Sequence, residues 1–333
     1  MIRYRPIAQT DLARPKDALP LAGGWCWFDR VEVLGRAGSR GLLPARELPS
    51  DVADRLTAAR APVAGLTLDA PRLMGILNVT PDSFSDGGRF AGGEAALAQA
   101  RHLADHSDIL DIGGESTRPG AAEVDLAEEC ARTAPLIAAL RQQGLQMPIS
   151  IDTRKSPVAQ AAIAAGASMI NDVAALTHDP ALGPLVAASH LPVCLMHAQG
   201  TPATMQADPR YDDVLLDVYN YLEERVAAAE AAGIARQRVI VDPGIGFGKT
   251  VAHNLALIRG LSLFHGLGCP ILLGASRKRF IGEIGQAPDT DRRGPGTLAV
   301  TLAGIAQGVQ IHRVHDSAEA RQAVRLWMAA TKG

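Results

Sequence analysis

Carboxylate, amide and cationic side chains recur along the chain directly after short apolar runs. Carboxylates and amides can hydrogen-bond to the N–H and carbonyl groups of a heterocycle, whereas arginine, lysine and histidine suit a diphosphate. A single Asp or Asn at such a position is more often a turn former or a helix cap, but the whole set indicates a binding site. The residues that end or follow these runs are Asn78, Asp111, Asp152, Asn171, Asp172, Met196, His197, Asp242, Ser276, Arg277, Lys278, Arg313 and His315.

The glycine-rich segment VDPGIGFGKT, residues 241–250, is close to a phosphate-binding loop but does not match one. A Walker loop needs a glycine five positions before its Gly-Lys pair, and this chain has Pro243 there. The dinucleotide-binding fingerprint needs a glycine where Lys249 stands. We therefore interpret the segment as a turn that follows a strand ending at Asp242.

The elements that must position these residues are eight short apolar runs, which alternate with alanine-rich helical stretches after Arg72. This alternation predicts parallel strands in βα units, and eight units in about 260 residues predict a (β/α)8 TIM barrel of the α/β class. A doubly wound open sheet is the alternative, but it normally uses fewer units. The runs are RLMGIL, SDILDI, MPISI, ASMI, LPVCLM, RVIV, PILLGA and GVQIHRV. In a barrel, the side chains after them converge on the carboxyl-terminal face.

Composition indicates what kind of protein this is and which partners it lacks. The chain has 333 residues, 47% of them hydrophobic, and a formal net charge of only -2. We therefore expect a globular protein without a nucleic-acid or membrane partner. The four cysteines form no C-x-x-C pair and the N-terminus has no signal-like apolar core, so we expect free thiols and a cytoplasmic location. The scattered histidines predict no zinc site.

Residues 1–70 precede the first barrel strand and predict a small α+β extension, with residues 71–333 forming the barrel. The segment GGWCWFDRVEVLGR contains two of the three tryptophans and an alternating pattern. Such aromatic content indicates an ordered piece packed on the barrel. Trp25 and Trp27 are more simply explained by a buried edge strand than by a ligand site.

From about residue 72 to its C-terminus, the chain resembles the dihydropteroate synthases, a family of pterin-binding enzymes. Long motifs in the family's order carry the resemblance. They are MGILNVTPDSFSDGG at 74–88, DIGGESTRPGA at 111–121, SIDTRK at 150–155, INDV at 170–173, LMHAQGTPATMQ at 195–206, DPGIGFGKT at 242–250, GASRKRFIG at 274–282 and RVHD at 313–316.

The resemblance implies a transferase of folate biosynthesis. Its reaction joins 6-hydroxymethyl-7,8-dihydropterin diphosphate to p-aminobenzoate and releases 7,8-dihydropteroate and diphosphate. The family pattern implies that one group of residues binds the pterin, with Lys278 donating to it and Met196 and Phe247 forming apolar walls. That group comprises Asp152, Asn171, Met196, Asp242, Phe247 and Lys278. His197 either orients this pocket or supports it from behind, and we interpret Asp111, Glu115 and Asp172 as supporting residues.

The resemblance also implies a diphosphate site. Arg313 and His315 would bind the leaving group together with Mg2+, for which Asn78 would be the protein ligand. An amide oxygen is a hard donor that suits Mg2+, whose other ligands are typically waters and substrate phosphates.

The second substrate is a flat anion, which needs an apolar slot with a positive end. The family pattern implies that two glycine-flanked loops supply it, and Arg118 also joins the catalytic cations. The loop residues are Phe84, Thr117, Arg118 and Pro119, beside Pro81 and Asp82. Some family members have a hydroxyl residue after the lysine of SRK, where this chain has Arg279. Arg279, Ser276 and the following helix N-terminus are alternative donors to the aminobenzoate carboxylate.

Two other functions stay open at this point. A pterin-binding methyltransferase would need no diphosphate site, and a non-catalytic paralogue would lack loop or ring residues. The intact GESTRPGA motif, Arg313 and His315 argue against both. The resemblance further implies that the protein forms a homodimer through barrel helices and that it is a target of sulfonamides.

Overall fold

The computed structural model describes residues 2–79, 88–116, 121, 123–200 and 204–332. The first part of the chain forms five short strands and one helix. These are β1 (Arg3–Pro6), β2 (Leu19–Pro20), β3 (Trp27–Phe28), β4 (Arg30–Gly35), β5 (Gly38–Pro44) and α1 (Ser50–Thr57). β1, β4 and β5 pair in an antiparallel sheet, and β2 pairs with β3.

The rest of the chain alternates strands with helices. In chain order the elements are β6 (Arg72–Asn78), α2 (Gly88–Ala104), β7 (Ile109–Gly113), α3 (Leu126–Gln142), β8 (Ile149–Asp152), α4 (Ser156–Ala165), β9 (Met169–Asp172), α5 (Leu182–Ser189), β10 (Val193–Met196), α6 (Val214–Ala231), β11 (Val239–Asp242), α7 (Val251–Arg259), β12 (Leu272–Leu273), α8 (Arg279–Ile284), α9 (Gly294–Ile305), β13 (Ile311–Val314) and α10 (Ser317–Lys332). Each predicted apolar run overlaps one strand.

The eight strands β6 to β13 form one parallel sheet in the order β11-β10-β9-β8-β7-β6-β13-β12. An isolated parallel bridge between Val241 and Ile271 joins the two ends and closes the barrel. The predicted α/β class and TIM-barrel fold are confirmed, and the open-sheet alternative is wrong. No helix in the described residues combines the length and apolar character that a membrane crossing requires.

Local sequence explains where the helices begin. Asp125 and Asp213 accept hydrogen bonds from the first-turn amides of α3 and α6. Thr250 and His253 form a reciprocal capping box at the start of α7. These caps satisfy amides that have no partner inside the helix, so each helix starts at a defined distance from the strand before it.

The two-residue period of a strand places the polar side chains inside the barrel mouth. Ile109, Met169, Ile240 and Ile311 are fully buried and belong to one cluster that fills the barrel interior. The residues two positions later project to the same side of each strand. They are Asp111, Asn171, Asp242 and Arg313. A layer of polar side chains therefore lies directly above an apolar layer, at the carboxyl-terminal ends of the strands.

The extension packs against the opposite, amino-terminal end of the barrel. Its own core contains Phe28 and Leu56, both fully buried. The indole Nε1 of Trp25 donates to the carbonyl oxygen of Ile305 at 2.8 Å, at the end of α9. Val63 and Leu68 belong to the cluster inside the barrel, although they precede the predicted domain boundary at residue 70. The chain thus fills the bottom of the barrel before it enters β6.

Candidate active site

A cavity of about 590 Å³ opens at the carboxyl-terminal face of the barrel. Seven of the predicted site residues line it, each from the end of a strand or from the loop after it. They are Asn78, Asp152, Phe247, Ser276, Lys278, Arg313 and His315. Asn171, Met196 and Asp242 do not belong to this lining and are 3–5% exposed, so they lie deeper in the barrel mouth.

An ion-pair network occupies the centre of the site. Arg313 donates from Nε to Asp111 Oδ2 at 2.5 Å and from Nη2 to Asp152 Oδ2 at 2.7 Å. Burial alone would lower the pKa of Arg313, but the charges of Asp111 and Asp152 outweigh it and raise that pKa. The guanidinium is therefore permanently charged and held in one orientation.

Asp152 combines burial with neighbouring carboxylates. Burial raises its pKa to about 7, Arg313 opposes this shift, and Asp111 adds to it. Its Oδ1 atom is buried and has no hydrogen-bond partner among the described residues. That oxygen can accept an N–H from a ligand in the cavity.

Asn171 also contacts Asp111, which explains the orientation of its amide. Nδ2 of Asn171 donates to Asp111 Oδ2 at 3.1 Å. Because Asp111 Oδ2 accepts this hydrogen bond, the amide nitrogen faces Asp111 and the amide oxygen is left for a ligand. The supporting role that we predicted for Asp111 is consistent with this geometry, since its carboxylate orients two predicted site residues.

Asp242, Phe247 and Lys278 lie close together. Asp242 ends β11, Phe247 lies in the loop after it, and Lys278 directly precedes α8. Gly244 donates its amide to Asp242 Oδ1 at 2.7 Å, and burial raises the pKa of that carboxyl to about 6. Nζ of Lys278 lies 3.9 Å from the centre of the Phe247 ring. Gly244 has a positive φ, and glycine is required here because a Cβ at this position would lie 1.9 Å from the carbonyl oxygen of His197.

Ser276 and His315 are joined to each other at the cavity wall. The amide of His315 donates to Ser276 Oγ at 3.1 Å, and His315 Nδ1 lies 2.9 Å from the same hydroxyl. Arg277, which we placed only at a strand end, also lines the cavity and pairs with Asp316. Arg279 is 87% exposed and pairs with Glu283.

Asn78 offers the oxygen that a hard metal would need. Gly113 separates Asn78 from Asp152, and a Cβ on Gly113 would lie 3.8 Å from Asn78 Oδ1 and 3.7 Å from Asp152 Oδ2. Within the described ranges, His, Cys, Asp and Glu side chains form no metal-binding group of three or more. These residues fit an ion that takes few protein ligands and completes its shell from substrate oxygens and water.

Four of the predicted site residues lie outside the described part of the chain, and one residue of the cavity was not predicted. Phe84, Thr117, Arg118 and Pro119 lie outside the described residues. Lys249 lines the cavity and donates from Nζ to the Phe247 carbonyl and toward His197 Nδ1. The glycine-rich segment around Lys249 could have indicated a site residue. Because the segment does not match a Walker loop, we assigned no function to this lysine.

Comparison with known proteins agrees with this geometry. The model of the pterin binding enzyme family matches residues 74–315. The dihydropteroate synthase of Neisseria meningitidis serogroup C is 47% identical over 266 residues, covering 79% of this chain and 93% of that protein. The corresponding Escherichia coli K12 enzyme is 45% identical over 262 residues, covering 78% and 92%.

Solved structures give the same result. Xanthomonas albilineans dihydropteroate synthase with 4-aminobenzoic acid superposes with a TM-score of 0.76 at 47% identity, covering 81% of this chain and 97% of that chain. The Yersinia pestis dihydropteroate synthase in a sulfonamide drug complex gives a TM-score of 0.77 at 42% identity, covering 82% and 100%. The chain therefore belongs to the pterin-binding enzyme family and, within it, to the dihydropteroate synthases.

Proposed function

We propose that the cavity condenses 6-hydroxymethyl-7,8-dihydropterin diphosphate with p-aminobenzoate to give 7,8-dihydropteroate and diphosphate. One observation carries this proposal. The same cavity holds the buried carboxylate of Asp152, one oxygen of which has no partner among the described residues, and the cations Lys278 and Arg313. Acceptors suit the donor edge of a pterin, and cations suit its carbonyl and its diphosphate.

The pterin would lie across the polar layer of the barrel mouth. Asp152, Asn171 and Asp242 would accept from the N–H groups of its guanidine-like edge, and Lys278 would donate to its carbonyl. Met196 and Phe247 would cover the ring faces. The Asp111–Asn171 hydrogen bond supports the acceptor role of Asn171, because it directs the amide nitrogen away from the ligand.

The reaction begins with cleavage of the bond between the pterin methylene carbon and the diphosphate oxygen. The electron pair leaves with the diphosphate, whose growing charge Arg313 and His315 would stabilise. Asp152 would favour the positive charge that develops on the pterin. The amine nitrogen then forms the new C–N bond and loses a proton to solvent.

Mg2+ is part of this proposal, with Asn78 as its protein ligand. When bound, the ion would neutralise charge on the diphosphate. The donor set supports it, because Asn78 supplies a neutral hard oxygen beside Asp152 at the cavity wall. Arg313 and His315 would hold the same diphosphate from β13 and the turn after it.

The aminobenzoate would bind where the two predicted loops meet the cavity. Phe84, Thr117, Arg118 and Pro119 remain predictions for its slot. Ser276 is the stronger candidate donor to the p-aminobenzoate carboxylate, because its hydroxyl lies in the cavity wall beside His315. Arg279 also lines the cavity, but its side chain is 87% exposed and pairs with Glu283, which makes it the weaker candidate. A sulfonamide would occupy the same slot, as the complex of the Yersinia pestis relative suggests.

Slow diphosphate release without the amine is the expected signature of this function. If bond cleavage precedes attack, water can replace p-aminobenzoate and diphosphate appears in a single turnover. The measurement is enzyme-coupled detection of diphosphate with Mg2+ and the pterin diphosphate, with and without the amine. Confirmed binding of the pterin diphosphate without release above background would instead support direct displacement by the amine. A methyltransferase or a non-catalytic paralogue would release no diphosphate even with the amine.

We also propose that the enzyme is a cytoplasmic homodimer. All four cysteines are free thiols in the structure, which supports a reducing compartment. Leu326 on α10 and Ile284 on α8 are 72% and 55% exposed, so barrel helices offer apolar surface to a second copy. Light scattering should give twice the mass of one chain at micromolar concentration. A single-chain mass under those conditions would contradict the dimer.

A further inference from the structure

Lys249 is a buried lysine at the site for which the proposed reaction has no use. It is 3% exposed, and its Nζ contacts three acceptors. These are His197 Nδ1 at 2.8 Å, the Phe247 carbonyl oxygen at 3.0 Å and the His197 carbonyl oxygen at 3.4 Å. A lysine is rarely buried unless its charge is satisfied, and here two chain segments together provide the acceptors.

The two segments that Lys249 joins carry the two apolar walls. Met196 directly precedes His197 at the end of β10, and Phe247 lies in the loop after β11. The segments approach so closely that a Cβ on Gly248 would lie 2.6 Å from the carbonyl oxygen of Gln199. Glycine permits this approach, and the Lys249 side chain links the segments from within.

His197 is a fixed acceptor in this arrangement. Burial and the nearby charge of Lys249 lower the pKa of His197 to about 2, so the ring is neutral at working pH. Its ring also packs edge-on against Tyr221, with 4.8 Å between ring centres. Of the two roles that the sequence left open for His197, this geometry favours support of the pocket from behind.

Lys249 also acts on Asp242 through its charge. Burial raises the pKa of Asp242, whereas the Gly244 amide, Lys278, Lys249 and Arg313 lower it. The buried thiol of Cys194 faces the same carboxylate from β10. Burial lowers the pKa of Lys249 itself to about 7, while Asp242 raises it and Lys278 lowers it. The two groups therefore stabilise each other's charged forms.

We propose that Lys249 is a positioning residue of the pterin site. It holds the Met196 and Phe247 walls at a fixed separation, and its charge keeps Asp242 ionised where that carboxylate binds the donor edge of the pterin. This inference rests on the proposed function and adds a residue that contacts no reacting atom.

Lys249→Met tests the inference, because methionine fills similar space without a charge or a donor. We expect calorimetry at pH 6.5, below the pKa of Lys249, to show at least about a 10-fold weaker affinity for the pterin diphosphate, with little change in the KM for p-aminobenzoate. Loss of one hydrogen-bonded partner of a buried group has effects of this order. Asp242 loses its charge as pH falls through its pKa. Without Lys249 that pKa is higher, so pterin affinity should be lost at a higher pH than in the wild type.

Three variants separate positioning from general destabilisation. Ser262→Ala removes a buried hydroxyl that donates to the Pro6 carbonyl oxygen at the far end of the barrel, and it should lower only the melting temperature. Asp242→Asn should remove the Asp242 contribution to the acidic limb of the pH profile and leave only that of Asp152, whose pKa burial raises to about 7. Lys249→Arg keeps the charge, so the pH midpoint of its pterin binding should match the wild type even if the larger side chain weakens binding. This variant also tests the role of the charge if Lys249→Met does not fold.

The possible outcomes distinguish the inference from the function on which it rests. Folded Lys249→Met with wild-type pterin affinity and an unchanged pH midpoint would overturn the inference, as would identical midpoint shifts in Lys249→Met and Lys249→Arg. A wild-type enzyme that binds the pterin diphosphate but never releases diphosphate would overturn the proposed function alone. Pterin affinity is measured without p-aminobenzoate and does not depend on whether diphosphate is released, so the two failures cannot be confused.

Discussion

Replacing Arg313 by alanine is expected to slow diphosphate release by about 10²–10³-fold, both with and without the amine, since the leaving group loses charge stabilisation. Two of its three guanidinium nitrogens bind Asp111 and Asp152. Among the described residues, Nη1 makes no hydrogen bond, so it can reach an anion in the cavity. The measurement is single-turnover diphosphate release at saturating pterin diphosphate.

The same change should also destabilise the fold, because Asp111 and Asp152 would remain buried without their cation. Breaking a buried pair by removing one partner costs about 3–5 kcal/mol. Arg321→Ala is the control, because it removes one of the cationic partners of Asp108, at residues that do not line the cavity. The control should lower the melting temperature and leave the release rate unchanged. Wild-type release by folded Arg313→Ala would remove Arg313 from the anion site.

Deleting residues 1–60 should lower the stability of the barrel by on the order of 5 kcal/mol. Burying one large apolar side chain contributes about 1.5–3 kcal/mol, and the extension covers several at the amino-terminal end. It also supplies polar contacts, since Arg3 binds Glu223 and Asn220 on α6, and Ser262 donates to the Pro6 carbonyl oxygen. The deletion ends before Val63, which fills the barrel interior.

Thermal and urea unfolding of the full chain and the shortened chain measure this effect. Leu12→Ser is the control within the extension, because Leu12 is 68% exposed and its replacement should change stability very little. Slow diphosphate release should persist in whatever fraction of the shortened chain folds, because the cavity lies at the opposite end of the barrel. An unchanged unfolding midpoint would show that the extension does not support the barrel.

The sequence predicted the strands well because each is a short, largely buried and mainly apolar run between turn residues. The least accurate run was PILLGA, in which only Leu272 and Leu273 form a strand. Directly after this strand, Gly274 passes close to the Asp242 carboxylate, since a Cβ at that position would lie 3.4 Å from Oδ2. A run of apolar letters carries no information about such a neighbour, which comes from another strand.

Side-chain partners were harder to predict than positions. The strand ends placed Arg313 correctly at the barrel mouth, and the cation type indicated an anion site. Its pairing with Asp111 could not be inferred, because β13 and β7 are separated by β6 in the sheet and meet only through the curvature of the barrel. Lys249 and His197 are likewise 52 positions apart, and only the contact between two loops brings them together.

The position of the tryptophans has a spectroscopic consequence. Trp25 and Trp327 both pack against the cluster formed by Leu73, Ile305 and Val314, and Trp27 is buried within the extension. These are all three tryptophans of the chain, and none lines the cavity. Intrinsic fluorescence therefore reports mainly on the contact between the extension and the barrel, where the Trp25 indole N–H donates to the Ile305 carbonyl oxygen. A pterin entering at the other end would be detected through its own emission against a nearly constant protein background.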